Sequence, residues 1–222
     1  MLTLLIDIDN TVVRQTPGLR EERGHGLLAL IRDQAERRGA PPAAVTRAFD
    51  EVFDTVWWTW GDFLDRLGLD RDAFWAHADR VELNRSRPVD LRIRDRLIGL
   101  RRLGCRLIIT SNNPADGIAH KLRLAGIDGR DQADLFDHLF GTDTIHAVKA
   151  EPVYWRRVIQ RIGGDPNLMA VIGDDADEDG RVPRHAGIDR WIRIDHAAGS
   201  TWSDAERNLR QVMQLLGAGA AG

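Results

Sequence analysis

TLLIDID (residues 3–9) is an uninterrupted apolar run that ends in two acids, Asp7 and Asp9. Apolar character without alternation suits a strand buried on both faces of a parallel sheet. CRLIITS (105–111), LMAVIGD (168–174) and RWIRID (190–195) read the same way, and HLFGT (138–142) is a weaker fifth candidate. Helical spacings separate these runs. Ile93, Leu97, Leu100 and Leu103 stop at Gly104, and Ile118, Leu122 and Ala125 stop at Gly126. Val153, Arg157, Val158 and Ile162 precede Gly163-Gly164. Glycine just past a periodic run is a helix-stop signal. Ser203 and Glu206 have capping-box spacing ahead of the apolar face Ala205, Leu209, Val212 and Leu216. Strands alternating with helices predict an α/β fold with a doubly wound, mainly parallel sheet and right-handed crossovers.

Residues 18–87 break the alternation. No strand pattern stands out there. Helical spacing links Leu27, Leu28 and Ile31; Val45, Phe49, Val52 and Val56; Trp60, Phe63, Leu64 and Leu67; and Phe74, Ala78 and Val81. The division expected is a core of residues 1–17 and 88–216, a small inserted α-helical domain at 18–87, and a disordered tail at 217–222.

Composition excludes several classes. Apolar residues make up 43% and charged residues 29% of 222, as in a water-soluble globular chain. A formal net charge of −3 offers no electrostatic basis for nucleic acid as the main partner. The single cysteine, Cys105, excludes an internal disulfide and a cysteine-based zinc site, and is expected as a small core residue. The N-terminal residues lack a basic region, and Asp7 interrupts their apolar run, so no signal peptide is expected. No run approaches the roughly 20 apolar residues of a membrane span. The expectation is a cytoplasmic protein. Its cations are 29 Arg and only two Lys, Lys121 and Lys149, and its anions are 26 Asp and eight Glu. The Arg excess is most simply a codon bias. The Asp excess makes any one D-x-D pair weak as a signal.

Position rescues some of these acids. Asp7 and Asp9 stand at the C-terminal end of the first strand, the edge where open α/β sheets bind ligands. Carboxylates crowded there must be paired, metal-bound or partly protonated. Asp174-Asp175, with Asp177 and Asp179 beyond, end the LMAVIGD strand. If that strand neighbours the first, Asp7 and Asp174 converge. Oxygen ligands without His or Cys suit a hard cation such as Mg²⁺. Thr110-Ser111-Asn112-Asn113 end the second strand with small hydroxyl and amide groups, and Lys149 stands where a loop meets the helix opened by Glu151-Pro152.

Together these elements resemble the haloacid dehalogenase superfamily of phosphotransferases. DIDNT (7–11) is similar to its first motif, IITSN (108–112) to its second, Lys149 followed by Ala150-Glu151-Pro152 to its third, and VIGDD (171–175) to its fourth. Asp179 and Ala186-Gly187 fall where that family's downstream acid and A-G pair lie, and residues 18–87 resemble its helical C1-type cap. The likeness covers the chain except the tail. It implies a Mg²⁺-dependent phosphatase that hydrolyses a small phosphorylated metabolite through an aspartyl-phosphate. Asp7 would be the nucleophile and Asp9 the general acid and base. Ser111, Asn112 and Lys149 would bind the phosphoryl group. The Asp7 carboxylate, the Asp9 main-chain carbonyl and Asp174 would hold the metal, with Thr11, Asp175 and Asp179 in support. A phosphomutase on the same core, acting for example on a sugar phosphate, is the runner-up, and a non-catalytic binding protein the remaining alternative. Asp rather than Thr at position 9 disfavours ATPase-type use of the core, and the Asp7/Asp9 pair disfavours dehalogenation.

Departures from the pattern are few. Asn10 stands where the family often has Gly, a swap that a left-handed backbone tolerates. Ala150 replaces a Pro. Gly180 and Pro183 fall where a helix should follow the fourth motif, which predicts a short helix or one starting near Pro183. Asp175 or Asp177 could then replace Asp179. Trp57, Trp58, Trp60 and Trp75 are expected mainly as packing residues of the insert, with stacking on a substrate the alternative reading. Arg14, Arg20 and Arg23 are expected at the surface, in reach of a second substrate anion. DIDNT leans towards nucleotides or sugar phosphates. Oligomeric state is not legible.

Overall fold

Strand β1 (Thr3–Ile6) forms the centre of a five-stranded sheet, flanked by β4 (Arg106–Thr110) on one side and β6 (Met169–Gly173) on the other. The computed structural model describes residues 1–16, 19–41, 43–47, 64–65, 68–82, 85–195, 199 and 201–219. The order is β5-β4-β1-β6-β7, with β5 spanning His138–Phe140 and β7 Trp191–Arg193, and every pairing in it is parallel. The chain fills one side of β1 and then crosses to the other. β1 therefore lies at the switch point where ligands bind beyond the strand ends.

The strands read as unbroken apolar runs because both sheet faces are covered. Leu4, Ile6, Leu107, Ile109, Ala170 and Ile172 point into one core. Helices α3 (Ile93–Arg102), α4 (Ala115–Leu124), α5 (Gly129–Leu135) and α7 (Trp202–Gly219) border that core. Leu5, Ile108, Met169 and Val171 point into the other, against Tyr154, Trp155 and Val158 of α6 (Pro152–Ile162). Alternate residues of a strand face opposite ways, so each needs its own cover. Each Leu, Ile, Val or Met among them contributes about 1.5–3 kcal/mol by leaving water.

The predicted stops hold: Gly104, Gly126 and Gly163 have φ of 83°, 75° and 63°, the left-handed region that glycine enters freely. At α7 the cap is shifted. Asp204 accepts from the Thr201 N–H at 3.0 Å and the Thr201 hydroxyl at 2.8 Å, while Ser203 and Glu206 are drawn instead to Arg96. The helix continues to Gly219, so residues 217–219 are helical and not part of a disordered tail.

One short strand at the edge of residues 18–87 corrects the reading of that stretch as strand-free. β2 (Val13–Gln15) pairs antiparallel with β3 (Ser86–Pro88), and Gln15 faces Ser86. Three residues each, without an apolar run, leave no periodic signal. Between them lie α1 (Leu19–Arg37), a helical segment at 43–47, and α2 (Arg71–Glu82). Ile31, Ala35, Val45, Leu64, Leu69, Phe74 and Ala78 form a third core of their own there. Trp57, Trp58 and Trp60, with Phe49, Val52, Val56 and Phe63, lie outside the described residues, as does Leu67.

Candidate active site

Asp7 follows β1 directly, and its N–H donates to Ile172 O at 2.9 Å, adding a rung to the β1–β6 ladder. The loop beyond it closes tightly. The N–H groups of Val12 and Val13 both donate to Ile8 O, at 2.9 and 3.0 Å, and the Asn10 N–H donates to Val13 O at 2.7 Å. This turn needs a left-handed residue, and Asn10 supplies it with φ 55°. Its side chain also hydrogen-bonds Asp174. Thr11 is fully buried, and its carbonyl accepts from Trp202 Nε1 at 2.7 Å, tying the loop to α7.

Lys149 is held from three directions. Its N–H donates to Asn112 Oδ1 at 2.8 Å, and its carbonyl accepts from Trp155 Nε1 at 2.9 Å. Its ammonium lies 2.6 Å from Asp7 Oδ1 and 2.6 Å from Asp179 Oδ1. An ammonium carries three N–H donors. Two are directed at these carboxylates, which leaves the third for an incoming anion.

Asp179, rather than Asp175 or Asp177, supports the cluster. Residues Ala176–Arg181 form a π turn that runs into a helical turn at Val182–Arg184. The helix after the fourth motif is short and starts beside Pro183, as Gly180 and Pro183 lead one to expect, and the π turn ahead of it is a feature frequent at functional sites. It buries Asp179, whose Oδ2 accepts from the Asp175 N–H at 3.2 Å. The Asp175 carboxylate instead caps the turn, accepting from the N–H groups of Asp177 and Glu178 at 2.8 Å each. Asp177 faces solvent and pairs with Arg181. The turn packs so closely that a Cβ on Gly173 would stand 2.1 Å from Asp179 Oδ2.

Ser111 and Asn112 follow β4 on the other side of β1. The Ser111 hydroxyl accepts from the Asn113 N–H at 3.1 Å and from Asn113 Nδ2 at 2.8 Å, so its own proton remains to be donated. The Ser111 N–H is shared between Phe140 O at 3.0 Å and the Tyr154 hydroxyl at 3.1 Å. Asn112 accepts from the Lys149 N–H and donates to Glu178 Oε2 at 2.7 Å, so its side chain stitches the loops together. Asp9 turns away from the metal-type cluster. Its Oδ1 accepts from Lys121 Nζ at 2.5 Å and its Oδ2 from Asn113 Nδ2 at 2.6 Å. Tyr154 and Trp155 carry no signal in the sequence, and Asn113 only that of its place at the strand end. The scarcity of Lys was the one signal that pointed to Lys121.

Three carboxylates against one ammonium leave the centre electron-rich. Burial, with the Asp179 and Asp9 charges, pushes Asp7 up to about 7, against the pull of Lys149. Burial and the Asp7 charge raise Asp174 to about 6, against its hydrogen bond from Asn10. Burial raises Asp179 as well. Asp7, Asp174 and Asp179 each offer a carboxylate oxygen, and these atoms lie within 4.8 Å of one another. An all-oxygen set short of positive charge fits a hard divalent cation. Cys105 is buried at the start of β4, as expected. Arg14 is exposed, and the Arg20 and Arg23 side chains lie outside the described residues. Trp75, half-buried on α2, sits 5.1 Å from the ring of His120 on α4, and Asp79 pairs with the same imidazole at 3.0 Å.

A family model for haloacid dehalogenase-like hydrolases matches residues 1–187. Among solved structures, a HAD phosphatase from Thermococcus onnurineus is 25% identical, with 88% of this chain and 86% of that chain covered at a TM-score of 0.55. A HAD-family enzyme from Bacteroides thetaiotaomicron is 18% identical, covering 91% and 97% at a TM-score of 0.60. An aspartate-to-alanine variant of that enzyme, in complex with magnesium and inorganic phosphate, is 16% identical over the same shares at 0.57. At those identities the likeness speaks for the fold. No curated protein matches the chain. Among the described residues, no helix is long and apolar enough to cross a membrane.

Proposed function

The chain belongs to the haloacid dehalogenase-like hydrolase family, and from that premise we propose that it is a Mg²⁺-dependent phosphatase acting on a small phosphorylated metabolite through an aspartyl-phosphate. The observation that carries this reading is the buried Lys149 ammonium, 2.6 Å from both Asp7 and Asp179 at the mouth of the sheet. An isolated buried carboxylate is costly. One that is paired on a single side and close to further carboxylate oxygens is arranged for a cation and an anion together.

Asp7, Asp174 and the Asp9 carbonyl would hold the Mg²⁺, with Asp179 in support. When bound, the metal offsets the repulsion between an anionic nucleophile and an anionic phosphate. In the first step an Asp7 oxygen bonds to phosphorus, the bond from phosphorus to the leaving oxygen breaks, and Asp9 gives that oxygen a proton. In the second step water attacks phosphorus, Asp9 takes up the water proton, and the Asp7 carboxylate departs. A positioned acid and base of this kind contributes roughly 10²–10⁴-fold. Lys149 and the Ser111 hydroxyl donate to the phosphoryl oxygens, whose charge is where most stabilisation lies in such transfers. The Thr11 carbonyl, tied to Trp202, steadies the nucleophile loop.

Residues 18–87 serve as the cap that admits and selects substrate. Supporting this are the separate core of α1 and α2, the β2–β3 stem at its root, and the α2 contacts with His120 on α4. Nucleotides and sugar phosphates are the first substrates to try. The test is release of inorganic phosphate from p-nitrophenyl phosphate and then a metabolite panel, with Mg²⁺ and with a chelator, for the wild type and Asp7→Asn. Mg²⁺-dependent release that is lost in the variant supports the reading. No release across the panel contradicts it, and activity only when a bisphosphate activator is added, without net release, favours a phosphomutase.

A further inference from the structure

We propose that Lys121 is a positioning residue: its ammonium, together with the Asn113 amide, fixes the Asp9 carboxylate in its working place. Lys121 lies on α4, with its side chain only 3% exposed, and its Nζ donates to Asp9 Oδ1 at 2.5 Å and to Asn113 Oδ1 at 3.0 Å. Asn113 closes the ring by donating to Asp9 Oδ2 at 2.6 Å and to the Ser111 hydroxyl at 2.8 Å. Both Asp9 oxygens are thus held, and the same amide links Asp9 to Ser111.

Several features separate this arrangement from an ordinary surface ion pair. Exposed Lys–carboxylate pairs hold neither partner still and contribute little. Here the cation is buried, which is tolerated only when its charge is met. Its partner is 36% exposed, so the buried member serves to orient the accessible one. Of two lysines among 31 basic residues, one reaches Asp7 and the other Asp9. The amide of Asn113 has a single workable orientation: its oxygen accepts from Lys121 and its nitrogen donates to Asp9 and Ser111. Groups whose rotamers are locked by such supporting bonds hold reacting atoms in productive geometry. The helix is itself anchored, since the Ala115 N–H at its start donates to Asp143 at 3.0 Å.

The inference rests on the phosphatase reading, in which Asp9 transfers the proton. The test is a double-mutant cycle of wild type, Lys121→Met, Asp9→Asn and the double variant, assayed with Mg²⁺ on p-nitrophenyl phosphate and on an alkyl phosphate. Misplacing a catalytic group by an ångström costs about 10²-fold, so Lys121→Met should lower kcat by about ten- to a hundredfold with little change in KM. The loss should be larger on the alkyl phosphate, whose poor leaving group depends more on Asp9. In the Asp9→Asn background, Lys121→Met should change the rate by no more than about twofold, because the two residues act as one unit. Lys121→Arg should recover part of the activity. Equal losses in both backgrounds, or none in the wild-type background, would overturn the proposal. If Lys121→Met does not fold, Lys121→Gln takes its place in the same cycle, with the same outcomes. A wild type without Mg²⁺-dependent turnover removes the phosphatase reading itself, and this is seen before any Lys121 variant is compared.

Discussion

The ammonium of Lys149 lies 2.6 Å from the Asp7 carboxylate, and both groups are buried at the end of the central strand. The same ammonium also lies 2.6 Å from Asp179, so a single cation is shared between two acids. Removing it with Lys149→Met strands Asp7, Asp174 and Asp179 beside one another. Breaking a buried pair by removing one partner costs about 3–5 kcal/mol. Loss of a donor aimed at the transferring group costs roughly 10²–10³ in kcat. Thermal melts and steady-state rates should show both effects together. A variant that melts like the wild type and retains its kcat would contradict the role given to Lys149.

The metal-free protein should lose stability as pH rises towards neutrality. Asp7 at about 7 and Asp174 at about 6 lie above the ordinary carboxylate value of 3.8, and Asp179 and Glu178 are displaced in the same direction. The folded chain therefore keeps protons between about pH 4 and 7 that the unfolded chain has released, and each raised acid destabilises the fold as pH climbs through that window. His77, lowered by burial, works the other way, but it is one group against several. Asp90, Asp131 and Asp204, held low by their partners, lose their contribution only below the ordinary carboxylate range. Melting temperature in chelator should fall between about pH 4 and 7, and Mg²⁺ should raise it more at the upper end, where no protons compete for the same oxygens. A Mg²⁺ response independent of pH would count against a metal at these carboxylates.

Gly173 is required by contact and not by backbone angle. A Cβ there would stand 2.1 Å from Asp179 Oδ2 and 2.2 Å from its Cγ. Gly173→Ala must therefore displace the π turn, at about 1–3 kcal/mol for overpacking. Because Asp179 supports the centre, the apparent Mg²⁺ affinity should weaken as well. Metal titration of activity checks this, and an unchanged midpoint would separate Asp179 from the metal.

Asn112 tests whether its side chain binds substrate or builds the site. Its amide accepts from the Lys149 N–H and donates to Glu178. Asn112→Ala should cost about 1–3 kcal/mol through the orphaned N–H, and lower kcat through the loosened Lys149. A rise in KM alone, with an unchanged melting temperature, would mean that the side chain contacts substrate directly.

What could be read in advance follows the strength of the local signal. Strands covered on both faces, such as Thr3–Ile6 and Met169–Gly173, are written as apolar runs, and their ends carry Asp7 and Asp174. Lys149 was legible because it stands at a loop-to-helix junction in a chain nearly free of Lys. Short elements were not: β2 and β3 have three residues each, and their pairing joins Gln15 to Ser86 across the whole insert. The π turn defeats any fixed helical period, and its wider path is what brings Asp179 back to Lys149. Lys121 and Tyr154 reach the site from helices whose apolar spacing includes neither residue. Thr201 replaced Ser203 as the cap because Arg96, from a distant helix, claims both Ser203 and Glu206.

Acid-quench mass spectrometry reads phosphoryl transfer to Asp7 itself. The Asp9→Asn variant, mixed with a phosphorylated substrate and Mg²⁺, should accumulate one phosphoryl group on the peptide containing Asp7, because the base that completes hydrolysis is missing. A phosphoryl group on Ser111, or turnover by the wild type with no trapped species in the variant, would contradict the account.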